Sequence, residues 1–125
     1  MSIGLYVAAT WALPLLTEAG TNPQSHPSIL ITGGGLHDHP FPQYFSLAMQ
    51  KSAQFNFAGS LSQIASPNGI HVATLDIGGF VSNDDPLLNA TNIADHFWTL
   101  YTQDRNSWQT VVKIGDMGSL VSVDN

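Results

Sequence analysis

Two short apolar runs, each closed by glycines, constrain this chain more than any other feature. Ser28-Ile29-Leu30-Ile31-Thr32 stops at Gly33-Gly34-Gly35, and Ile70-His71-Val72-Ala73-Thr74-Leu75-Asp76-Ile77 stops at Gly78-Gly79. Apolar runs of this length suit strands covered on both faces, as in a parallel sheet. A third run, Trp108–Ile114, ends at Gly115. Between them lie segments with helical spacing. Residues 2–18 place Ile3, Val7, Trp11 and Leu15 at four-residue steps. A long helix is predicted from about Tyr44 to Ala65, with Met49, Ala53, Phe57, Leu61 and Ile64 as its apolar stripe and Ser66-Pro67-Asn68-Gly69 as its stop. Ile93–Thr102 reads as a further helix, with Asn92 as its cap. Strand, helix, strand, helix, strand, with helical crossovers, places the chain in the α/β class: three parallel strands alternating with three helices.

Composition narrows the function classes. The 125 residues suffice for one small domain. Three Lys and Arg stand against nine Asp and Glu, a formal charge of −6. No basic surface exists to neutralise phosphates, so nucleic acid is excluded as a partner. Without cysteine the chain builds neither a disulfide framework nor a zinc ribbon, and a reducing, cytoplasmic setting suits it. Ile3–Leu16 is almost continuously apolar, the length of a signal-peptide core and too short to span a bilayer. No Lys or Arg precedes it and Pro14 lies inside it, which favours a buried core helix and no membrane partner.

Several local motifs then fall into a familiar order. Gly4 with Leu13-Pro14-Leu15-Leu16, the run Ser28–Gly35, Lys51-Ser52-Ala53, Pro67-Asn68-Gly69-Ile70-His71-Val72 and Trp108 follow one another along nearly the whole chain. In this order they resemble the C-terminal half of the short-chain dehydrogenase/reductase family. The resemblance implies a partial Rossmann-like fold lacking the N-terminal nucleotide-binding strands. Residues 1–125 would then form a single truncated domain of that kind, with strand carboxyl ends as the place for a ligand. Family members open with a strand, a glycine-rich turn and a helix whose amino end holds the cofactor pyrophosphate. This sequence holds no counterpart, and Gly33-Gly34-Gly35 stands at the wrong place in the topology to replace it.

The resemblance also implies which catalytic positions are kept. The family pairs a tyrosine that moves the substrate proton with a lysine one turn later, which lowers the tyrosine pKa and binds the nicotinamide ribose. Lys51 matches the lysine. Four residues earlier stands Leu47, which has no proton to give, and thirteen before that stands Gly34 in place of the family's serine. The family asparagine falls at Met1 or before it. Ser46-Leu47 ahead of Lys51 resembles an atypical branch lacking the tyrosine. The one substitute acid on a similar face is Tyr44, seven residues from Lys51 and roughly 10 Å away along a helix.

Other candidates carry less. His37-Asp38-His39 is the only metal-like cluster, and two imidazoles need a distant third ligand such as Asp84 or His96, so no metal is expected. Asp84-Asp85-Pro86 reads as a turn. A small-molecule pocket around Phe80, Phe97 and Trp98 is a further expectation. Ala8, Trp11 and Leu15 on the first helix, with Phe45, Met49 and Phe57 on the second, offer more apolar area than three strands can cover. The strand Ser28–Thr32 is left with an open edge. The expected partners are a second copy or a complementary chain. The functional expectation is a dehydrogenase-like protein that is inactive alone and takes no cofactor by itself, with NAD or NADP used if an N-terminal half completes it.

Overall fold

The computed structural model describes residues 2–116. Helix α1 (Ser2–Ala19) leads to strand β1 (Ser28–Gly34), and helix α2 (Phe45–Ala65) to β2 (His71–Gly78). Helix α3 (Ala90–Thr102) then leads to β3 (Val111–Gly115), with short 3-10 turns in the connections. The strands form one parallel sheet in the order β1-β2-β3. This is a partial Rossmann-like α/β fold.

Alternation along the strands divides the interior into two cores. Ile29, Ile31 and Val72 face α1 and α2, where Ala9, Ala58, Leu61 and Ala65 close over them. Leu30, Ala73, Leu75 and Ile114 face α3 and its Leu100. The central strand is therefore buried from His71 to Asp76, which is why its sequence shows no polar alternation. Fully buried Leu75 alone contributes about 2 kcal/mol relative to an exposed leucine.

Chain reversals follow local chemistry. After α2, Gly69 takes a left-handed φ of 75°. Its N–H donates to Ser66 O, and that of Ile70 to Ala65 O, a paired closure that satisfies the last helical carbonyls and feeds β2. Arg105 Nη2 donates to Gly20 O at 3.1 Å, tying the end of α1 to the α3–β3 connection.

The structure corrects several sequence expectations. The α3 cap is Asn89, whose Oδ1 accepts from Asn92 N–H at 2.9 Å, so the helix starts a turn earlier than the Asn92 cap predicts. The third strand begins at Val111. Trp108 lies before it, stacked on the His71 ring with centroids 4.8 Å apart. α1 is a surface helix: its four-residue stripe of Ile3, Val7, Trp11 and Leu15 is exposed, while Leu5, Ala9, Leu13 and Leu16 turn inward. On α2, Met49 and Ile64 of the expected stripe are also exposed. Four-residue steps advance 400° and so drift around a helix; over this many turns the apolar count does not say which stripe meets the sheet.

Candidate functional site

The carboxyl ends of β1 and β2, where open α/β sheets take their ligands, gather the polar chemistry of the described chain. Register places Gly33 beside Asp76, both on the α2 side of the sheet. A Cβ at Gly33 would clash with the Asp76 carboxylate, so the glycine makes room for that side chain. Asp76 is 3% exposed. Its Oδ2 accepts from His37 Nε2 at 2.6 Å, while Oδ1 is buried without a hydrogen-bond partner. His37 comes from the 3-10 turn Gly35–His37 just after β1, and its ring stacks on Phe55 of α2 with centroids 3.8 Å apart.

Around this pair stand three further charges. Lys51 Nζ donates to Thr32 O at 3.2 Å, and buried Gln54 donates to the same carbonyl at 3.1 Å. One turn of α2 thereby closes the end of β1. Asp38 accepts from His39 Nδ1–H at 2.7 Å through Oδ1 and from Lys113 Nζ at 3.1 Å through Oδ2, joining the loop to β3. Burial pushes the Asp76 carboxyl above the usual carboxylate range, and the nearby His37 and Lys113 only partly offset it. Asp38 moves the other way. Slight burial raises it, but the hydrogen bonds from Lys113 and His39 outweigh that and hold it low.

The positions singled out by the sequence are placed as follows. Lys51 reaches the carboxyl end of β1, with Gly34 at the strand terminus and Leu47 half-buried one turn earlier on α2. Tyr44 precedes α2, is exposed, and stacks on Phe41 with centroids 5.2 Å apart. Among the described residues no three His, Asp or Glu side chains converge as a metal site. His96 donates to Asn92 O within its own helix, and His71 is buried and donates to Gln109 O. Of the residues expected around a small-molecule pocket, Phe80 and Trp98 stand exposed, while Phe97 packs against the α3-side core. The His37 side chain is only 6% exposed.

Asp76, Gln54 and Phe55 were not found by sequence reasoning. The available signal was Asp76 itself. A carboxylate in a strand buried on both faces needs a partner, and a histidine in the neighbouring strand's exit loop is an obvious one.

A short-chain dehydrogenase from Rhodopseudomonas palustris, of known crystal structure, superposes on this chain with a TM-score of 0.65 at 24% sequence identity. The match covers 83% of this chain and 42% of the dehydrogenase, so the chain spans less than half of that protein's length. The fold is short-chain-dehydrogenase-like. No protein-family model and no curated protein matches the sequence. No described helix is long and apolar enough to cross a membrane.

Proposed function

We propose that the chain is a single short-chain dehydrogenase/reductase-like unit, resembling the C-terminal half of that family, which does not turn over by itself and takes no dinucleotide by itself. The reading rests on two side-chain identities at the strand ends. Leu47 occupies the position from which the family's tyrosine would move a proton, and Gly34 has no hydroxyl where its serine would stand. Lys51 is the retained family position. Its contact with Thr32 O supports a role at the carboxyl end of β1, but a lone ammonium does not hold a pyrophosphate. Calorimetric titration of the purified chain with NAD and NADP, oxidised and reduced, is expected to give no heat of binding and no turnover. Saturable binding or redox activity would overturn the reading.

A second reading is favoured by the 42% coverage of the dehydrogenase: an NAD(P)-dependent oxidoreductase whose activity needs a nucleotide-binding half. In that form Lys51 would contact the nicotinamide ribose and Tyr44 is the substitute acid. Reading the genomic DNA upstream of Met1 for a strand followed by Gly-x-x-x-Gly-x-Gly separates the two readings.

The partner proposed is a second copy or a complementary chain, in a cytoplasmic setting. Trp11 at 72% exposure, Phe45 at 70% and Met49 at 70% leave apolar surface on both α1 and α2. Among the described residues β1 pairs with β2 alone. Sedimentation at micromolar concentration is expected to show a dimer or larger species; a clean monomer with a cooperative melt counts against it.

A further inference from the structure

We propose that Lys51 and Gln54 guard the open edge of β1: by closing the carbonyl of Thr32 they stop a second copy of this chain from adding its own β1 there. The inference deepens the partner reading above, rests on its open edge, and states which route of association is shut. It also gives Lys51 a task in this chain that needs no nucleotide.

Backbone direction sets the terms. His71 N–H donates to Pro27 O at 3.0 Å, and in a parallel ladder alternate residues turn their N–H and C=O to the same neighbour. Pro27, Ile29, Ile31 and Gly33 therefore face β2. Ser28, Leu30 and Thr32 face outward, where no strand among the described residues lies. Such an edge is a template for pairing with another chain. The segment Ser28–Gly34 has no charge and no proline, and Ile29-Leu30-Ile31 favours strands strongly, so the segment it fits best is another copy of itself. A twofold axis at Leu30 pairs that residue with its own copy and Ser28 with Thr32. In this register the Ser28 N–H of each copy needs the Thr32 O of the other.

That acceptor is already taken. Lys51 Nζ donates to Thr32 O at 3.2 Å and Gln54 Nε2 at 3.1 Å, which fills both lone pairs of the carbonyl. Gln54 is buried and anchored inside, while Lys51 is half-buried and Thr32 itself exposed. An incoming β1 would strand the Ser28 N–H of each copy and cover the Lys51 ammonium, and both are costly. A lysine beside an edge strand is a recurrent device against such addition. Ser28 and Leu30 alone are too short a run to hold a strand. The exposed apolar rows of α1 and α2 are left as the route for a second copy.

The experiment is amide hydrogen exchange, read by NMR on the full chain at low and at high micromolar concentration. In the parent, the outward amides of Leu30 and Thr32 are expected to exchange at the same rate at both concentrations, while Ile29 and Ile31, which face β2, stay protected. In the double variant Lys51→Met with Gln54→Leu, the Leu30 and Thr32 amides should slow about tenfold at the higher concentration, with a heavier species in sedimentation. Because Gln54 is buried, Lys51→Met alone is the second variant, and it should show the same concentration-dependent slowing by about threefold. Lys51→Arg, which keeps a donor, should behave as the parent. Concentration-dependent protection of Leu30 in the parent, or its absence in a folded Lys51→Met variant, would each overturn the proposal, as would slowing confined to amides outside β1. The readout is single amides, so the partner reading, judged by the size of the parent's assembly, can fail without this one.

Discussion

Gly33→Ala tests whether the strand-end pair is a designed fit. A Cβ at this position would collide with Asp76 Oδ1 and stand 2.9 Å from Thr74 Cγ2. Asp76 cannot retreat freely, because Oδ2 is held by His37 and the side chain is enclosed. Rotating the carboxylate away sacrifices a charge-assisted hydrogen bond, about 1.5–3 kcal/mol, and overpacking adds about 1–3 kcal/mol. Loss of glycine's freedom in the unfolded chain returns only about 0.5 kcal/mol, so a net loss near 3 kcal/mol is expected. The assay is urea unfolding of four proteins: the parent, Gly33→Ala, Asp76→Ala and the double variant. With Asp76 truncated, the new methyl group meets chiefly Thr74, and its cost should fall to about 1 kcal/mol, a coupling of about 2 kcal/mol. Additivity within about 0.5 kcal/mol would refute the claim that Gly33 exists to admit the carboxylate.

Other outcomes follow from the same geometry. Because the folded-state pKa of Asp76 is raised by burial, its contribution to stability is fully present below the unfolded value near 3.8 and is lost as pH rises through the folded value. The stability of the parent relative to Asp76→Asn should therefore fall as pH climbs out of the acid range, and urea midpoints that move the opposite way would contradict it. Asp85 is held low by the backbone N–H groups of Leu88 and Leu87, so its contribution is present above 3.8 and is lost as pH falls through the lowered value. Asp85→Ala should flatten that acid limb in a pH series of melts. Gly34→Ser should be tolerated within about 0.5 kcal/mol, since a Cβ there meets only Ile77 O at 3.4 Å, and thermal unfolding checks it. Arg105→Ala should cost about 1 kcal/mol in urea unfolding, through the lost bond to Gly20 O.

The fold was legible where burial on two faces leaves no choice of pattern. The runs ending at Gly33 and Gly78 pointed to parallel strands through their apolar composition, whereas the stop at Ser66-Pro67-Asn68-Gly69 rests on a backbone requirement, the left-handed φ of 75° at Gly69 that few residues adopt. The α1 stripe was misread for the opposite reason. That helix is apolar on most sides, so periodicity cannot tell the sheet-facing row of Leu5, Ala9, Leu13 and Leu16 from the exposed row of Ile3, Val7, Trp11 and Leu15. Lys51 is singled out only by the resemblance; its contact with Thr32 O lies across 19 residues and has no local signature.

The His37–Asp76 pair was illegible for a related reason, and it bears on how the site is built. The two residues are 39 apart in sequence, and only the register that sets Gly33 against Asp76 brings them together. That register ties a backbone position in β1 to a buried carboxylate in β2 and, through it, to the imidazole of the exit loop. Gly34, by contrast, has space for a side chain and lacks one. The strand end thus has room at the position the resemblance assigns to a hydroxyl, and is tightly filled one residue earlier. Gly34 and Lys51 nevertheless line the same small hollow as Gly33, His37 and Asp76, and the Lys51 ammonium acts on the Asp76 carboxyl, so the two sets meet at one corner of the fold. Substitutions that crowd Gly33 or truncate Asp76 should disturb folding, whereas a side chain added at Gly34, where there is space, should leave it intact.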